Sequence, residues 1–68
     1  MTYTVYAIFS EAAYQVATGN DQDHVMDFAE RVCKKIGQWP NGFLCGDAKE
    51  LKFNGKILQL QDLKQRQE

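Results

Sequence analysis

Three side chains in this sequence could take part in nucleophilic, acid–base or metal chemistry: His24, Cys33 and Cys45. A structural zinc site normally needs four ligands, and its thiolates usually come in closely spaced pairs. Eleven residues separate Cys33 from Cys45, and His24 would lie about 13 Å from Cys33 along one helix. The sequence therefore predicts no metal site, and no motif in it predicts a cofactor.

Catalysis by the same residues is also not expected. His24 has Asp27 three positions on, but a solvent-exposed surface histidine is the better interpretation. Cys33 falls late in a predicted helix, where the helix dipole disfavours a thiolate. Both cysteines border apolar residues and are interpreted as reduced core thiols, with one disulfide between them as the alternative. No glycine-rich phosphate loop or Ser/His/Asp set is present, so the sequence predicts a protein that is not an enzyme.

Length and composition set the scale of the fold. The chain has 68 residues, of which 44% are apolar and 25% are charged, as in ordinary folded domains. We predict one small domain over residues 1–68, with a polar tail at 61–68 that frays or forms one helical turn. No apolar run approaches the ~20 residues that span a bilayer, and residues 1–4 do not look like a signal peptide. We therefore expect a cytoplasmic protein that does not enter a membrane.

Apolar periodicity and turn signals predict the elements that position these residues. Strands are predicted at residues 2–10 and 13–18, with a turn near Ser10-Glu11-Ala12, and a short strand or buried connector at 43–45. The pair Asn54-Gly55 favours a type I′ hairpin over residues 50–60. The predicted fold is α+β, with one amphipathic helix packed on a small, mostly antiparallel sheet in the order β-β-α-β-β.

The helix is predicted from Gln22 to Ile36. Asp21 or Asp23 is expected as its N-cap and Gly37 as its C′ residue. One apolar stripe at three- and four-residue spacing should face the sheet. Its members are Val25, Phe28, Ala29, Val32 and Ile36, widened by Met26 and Cys33.

Strand alternation predicts a second, partly apolar sheet face that points away from the helix. Val5 and Phe9 would face the helix, so Tyr6 and Ile8 would face the other side. The candidate partner-binding residues on this face are Tyr6, Ile8, Gln15, Lys52, Ile57 and Gln59. Trp39 is a further candidate anchor, although a cap on the end of the helix is our first interpretation of it.

The net charge is −1, yet residues 1–30 contain five acids and no Lys or Arg, and all eight bases follow. A basic half with aromatic residues could bind nucleic acid, but the pI of 5.7 argues against it. We instead predict a small binding protein that acts by protein–protein interaction, as an inhibitor or regulator of a larger partner or as a homodimer. Small chains without motifs are typical of accessory proteins of phages and mobile elements.

Overall fold

The computed structural model describes residues 2–46 and 56–65 of the chain. Within these ranges the fold is α+β, with a mixed four-stranded sheet and two helices. The elements are β1 (Tyr3–Ile8), β2 (Ala12–Gly19), α1 (Gln22–Ile36), β3 (Gly42–Gly46), β4 (Lys56–Gln59) and α2 (Leu60–Lys64).

The sheet has the strand order β3-β1-β2-β4. β1 pairs antiparallel with β2 and with β3, whereas β4 runs parallel to β2. The prediction of a mostly antiparallel sheet in the order β-β-α-β-β is thus correct only in part. Parallel pairing is feasible here because α1 and β3 intervene between β2 and β4, and parallel neighbours need such a long connection. The predicted Asn54-Gly55 turn and the first arm of that hairpin lie outside the described residues.

β1 and β2 form a hairpin closed by a hydrogen bond from the Phe9 amide to the Ala12 carbonyl, 2.8 Å long. The rings of Phe9 and Tyr14 pack edge to face, with centroids 5.4 Å apart. The register slips between Val5 and Tyr6, so that Val5 pairs with Ala17 and Tyr6 pairs with Gln15. Val16 is therefore the extra residue of a β-bulge.

Because of the bulge, the side chains of β2 do not alternate between the two sheet faces as predicted. A regular strand would place Tyr14, Val16 and Thr18 on one face. Tyr14 pairs with Ala7, a core residue, but Thr18 pairs with Thr4 on the opposite face. Thr18 is accordingly exposed, whereas Tyr14 is buried.

Helix α1 runs from Gln22 to Ile36, as predicted. The Asp21 carboxylate accepts a hydrogen bond from the backbone amide of His24, 3.2 Å long, and caps the first turn. Gly37 ends the helix with φ 74°, in the left-handed region that glycine adopts without steric cost. Short-range capping signals therefore define both ends of this element.

The buried stripe of α1 is rotated from the predicted one. Its centre is Val25, Ala29 and Cys33, which are 5%, 0% and 0% exposed. Phe28, predicted to face the sheet, is 57% exposed, and that part of the prediction is wrong. The i, i+4 line of small residues lets the helix approach the sheet closely, which leaves the larger Phe28 ring at the flank.

Helix α2 begins at Leu60 and covers the first half of the predicted polar tail. Leu63 is 0% exposed and belongs to the same core cluster as Val25 and Cys33. At the start of this helix, the backbone amide of Gln59 donates a hydrogen bond of 3.1 Å to the Asp62 carboxylate. Fraying and one helical turn were the two alternatives for this tail; residues 60–64 are helical, and Leu63 makes this helix part of the core.

Candidate functional site

The sheet face opposite α1, here called the back face, holds most of the sequence-predicted binding residues. The strand register aligns Leu44, Tyr6, Gln15 and Gln59 in one row across the sheet. A second row contains Gly42, Ile8, Ala13 and Ile57. Five of the six predicted back-face residues thus share this face, and Lys52 lies outside the described residues.

Exposure varies strongly across the back face. At its centre, Tyr6 is 1% exposed and Ala13 is 0% exposed. At its edges, Leu44 and Ile57 are 46% and 45% exposed. A partner could touch the edge residues directly but would meet little of the Tyr6 ring. Leu44 was missed as a candidate, although its alternation with Phe43 and Cys45 could have placed it there.

Trp39 is held in a connection that is anchored at both ends. On the helix side, the amides of Gly37 and Gln38 donate to the carbonyls of Lys34 and Cys33. On the sheet side, the Asn41 amide donates to the Ile8 carbonyl over 2.8 Å. The backbone therefore caps the end of α1, so the helix does not need the indole for that purpose.

Trp39 is 68% exposed, more than any other large apolar residue in the described part of the chain. It borders an open groove of about 440 Å³ between α1 and the start of β3. Trp39, Pro40 and Phe43 form the apolar side of the groove. The α1 side consists of Asp27, Glu30, Arg31 and Lys34. We call these seven residues the Trp39 surface.

The charged side of the Trp39 surface contains one ion pair. Arg31 Nε lies 3.0 Å from Asp27 Oδ2, and both side chains are largely exposed. Glu30 and Lys34 are also exposed. Two acids and two bases line the groove, so its net charge is zero.

A second groove of about 360 Å³ lies at the start of α1, beside the end of β2. Its walls include His24, Val25, Phe28 and Gly19. A Cβ atom on Gly19 would lie 2.9 Å from Val25 Cγ2, so the helix approaches the strand too closely for a larger residue. His24 is exposed here, as predicted, and its backbone amide belongs to the helix cap.

His24 lies exposed near the start of α1, nine residues before Cys33. Cys33 is fully buried in the core, and burial raises the pKa of its thiol above its ordinary value. Cys45 is half-buried on β3, and both cysteines are free thiols. Across residues 2–46 and 56–65, no group of three His, Cys, Asp or Glu side chains could hold a metal ion.

In the described part of the chain, neither helix is long and apolar enough to cross a membrane. No protein-family model, curated protein or solved structure shows a significant match to this chain.

Proposed function

We propose that this chain is a small binding protein that docks on a protein partner through the Trp39 surface. The observation that carries the proposal is the 68% exposure of Trp39 within a groove that also contains Pro40 and Phe43. Tryptophan is enriched among the residues that dominate binding energy at protein interfaces. Its indole can transfer a large apolar area from water into an interface.

The anchoring of the Trp39 connection supports the same proposal. Because hydrogen bonds hold Gln38 and Asn41 on either side of Trp39, little backbone freedom would be lost when a partner binds. Binding costs less when the contact residue is held in place beforehand. Charged side chains from α1 surround the apolar groove, and a polar rim around an apolar centre is typical of protein interfaces.

The expected outcome of docking is inhibition or regulation of the partner, without catalysis by this chain. Support for a non-enzymatic role comes from His24, which is exposed at the start of α1, whereas Cys33 is buried in the core about 13 Å further along the helix. Nucleic-acid binding has less support, because the Trp39 surface has no net charge and the whole chain has a pI of 5.7. Binding of nucleic acid in the experiment below would therefore contradict the proposal.

The experiment compares partner capture by the unmodified chain with capture by three variants. Trp39→Ala removes the proposed anchor, and Phe28→Ala removes an aromatic ring of similar exposure outside the Trp39 surface. Ile57→Asp places a charge at the edge of the back face. We expect Trp39→Ala to lower affinity at least tenfold, which corresponds to about 1.4 kcal/mol, and Phe28→Ala to leave it within about twofold.

Two results would contradict the proposal. In the first, Ile57→Asp abolishes capture while Trp39→Ala leaves it intact, which would assign binding to the back face. In the second, the chain binds random oligonucleotides with an affinity that falls steeply with salt. Circular dichroism of each variant checks that the fold is retained.

A further inference from the structure

The charged side chains of the Trp39 surface follow a fixed order along α1. Asp27, Glu30, Arg31 and Lys34 are spaced as i, i+3, i+4 and i+7, so they form one stripe on the helix. The two acids come first and the two bases follow. This order suits the helix dipole, but the dipole does not require that all four residues line the same groove as Trp39.

The stripe is complementary to itself when two helices run antiparallel. A two-fold axis between Glu30 and Arg31 would bring Glu30 opposite the partner's Arg31 and Asp27 opposite the partner's Lys34. The symmetry repeats each contact, which gives four attractive pairs. A parallel arrangement would instead place acids against acids and bases against bases, so the charge order selects the antiparallel one.

We infer that the Trp39 surface binds a second copy of this chain, with the two α1 helices antiparallel. This inference rests on the proposed function and names the partner. The surface has no net charge, so it favours neither an acidic nor a basic partner over one that carries the same order of acids and bases. The whole chain carries a net charge of only −1, so overall repulsion between two copies is small.

The antiparallel arrangement also gives Trp39 a defined contact. Trp39 follows the C-terminal end of α1, and the two-fold axis would bring it beside the N-terminal turn of the partner helix. The Asp27–Arg31 ion pair need not break, because a guanidinium carries five N–H donors. Arg31 can donate to Asp27 in its own chain and to the partner's Glu30.

Charge-reversal variants test the pairing by sedimentation equilibrium from about 1 µM to about 1 mM. Lys34→Glu makes both Asp27–Lys34 contacts repulsive and should raise the dimer Kd about tenfold or more. The control Lys35→Glu makes the same charge change at an exposed neighbour outside the groove, and should change Kd less than about threefold. The double variant Asp27→Lys with Lys34→Glu restores opposite charges across the axis and should recover most of the affinity.

Trp39 fluorescence gives an independent readout, since this is the single tryptophan of the chain. Its emission should shift to the blue as concentration rises, and back again when NaCl is raised from about 0.05 M to about 0.5 M. The inference is overturned if the chain stays monomeric at the highest concentration. Equal effects of Lys34→Glu and Lys35→Glu, or no recovery in the double variant, also overturn it.

The proposed function can fail separately. If the chain is monomeric and Trp39→Ala still abolishes capture of another protein, self-pairing is wrong and docking through Trp39 stands. If the chain dimerises with an unchanged Trp39 environment and Trp39→Ala has no effect on any association, docking through Trp39 is wrong and self-pairing as stated here fails with it.

Discussion

Replacing Leu63 by alanine should destabilise this protein far more than the position of Leu63 in the sequence suggests. Leu63 lies in the five-residue helix α2, yet its side chain is 0% exposed and packs in the central core cluster. Truncating a fully buried leucine costs about 2–5 kcal/mol, through lost burial and the cavity that remains. A core of this size rarely supplies more than about 3–5 kcal/mol in total.

The chain provides its own matched control. Leu44 is 46% exposed on the back face, so Leu44→Ala should cost only about 1 kcal/mol. If Leu63→Ala costs about 3 kcal/mol, it should lower Tm by roughly 12–24 °C. Urea and thermal unfolding followed by circular dichroism would measure both variants. Equal stability losses at the two leucines would refute the assignment of α2 to the core.

Three further predictions concern backbone packing and thiol chemistry. Gly19→Ala should lower the free energy of unfolding by about 1–3 kcal/mol, because the new methyl group would lie 2.9 Å from Val25 Cγ2. The control Gly42→Ala places its methyl group where no atom lies within 4 Å, and it should change this free energy by less than about 1 kcal/mol. Urea titrations of the two variants measure both changes. A thiol-specific reagent should modify half-buried Cys45 in the native protein but Cys33 only after unfolding, and mass spectrometry would identify the site. Burial raises the pKa of the Cys33 thiol above its ordinary value, so the thiol ionises at lower pH in the unfolded chain than in the folded one. The free energy of unfolding should therefore fall as pH rises above the ordinary pKa of a thiol, about 8.5. A Cys33→Ala variant that loses stability equally over this range would contradict this cause.

Local signals predicted α1 well because each acts within one or two turns. The carboxylate of Asp21, the charges along the helix and Gly37 all operate between near neighbours in sequence. Local signals could not predict that the buried stripe is rotated toward Ala29 and Cys33. It depends on how closely the helix approaches the sheet, and Phe28 fits a helical apolar stripe by spacing alone.

In the sheet as well, pairing between strands close in sequence was predicted and pairing between distant strands was not. The β1–β2 hairpin follows from two nearby strands with a short turn between them. The β-bulge at Val16 leaves no mark in the residue pattern, and it reverses the expected face of Thr18. The parallel pairing of β4 with β2 joins residues that are far apart in the chain, and alternation of apolar residues does not encode such a pairing.

The candidate site was predicted only in part, because the sequence pattern does not show which side chains are exposed to solvent. Strand alternation correctly grouped Tyr6 and Ile57 on one face, but it could not tell that Tyr6 is buried and Ile57 is not. For Trp39, the sequence left a helix cap and an interface anchor as alternatives. The backbone hydrogen bonds of Gly37 and Gln38 cap the helix without a side chain, and these bonds can be seen only in the structure.

The parallel edge pairing has a consequence for how the chain reaches its native state. Ala12 pairs with Lys56, so the long segment between them must bring the two strands together before β4 can pair with β2. Contacts between such distant residues form slowly, because a long loop must close first. The β1–β2 hairpin with α1 should acquire structure early, and the β4–α2 segment should be last to dock and first to open in native-state hydrogen exchange.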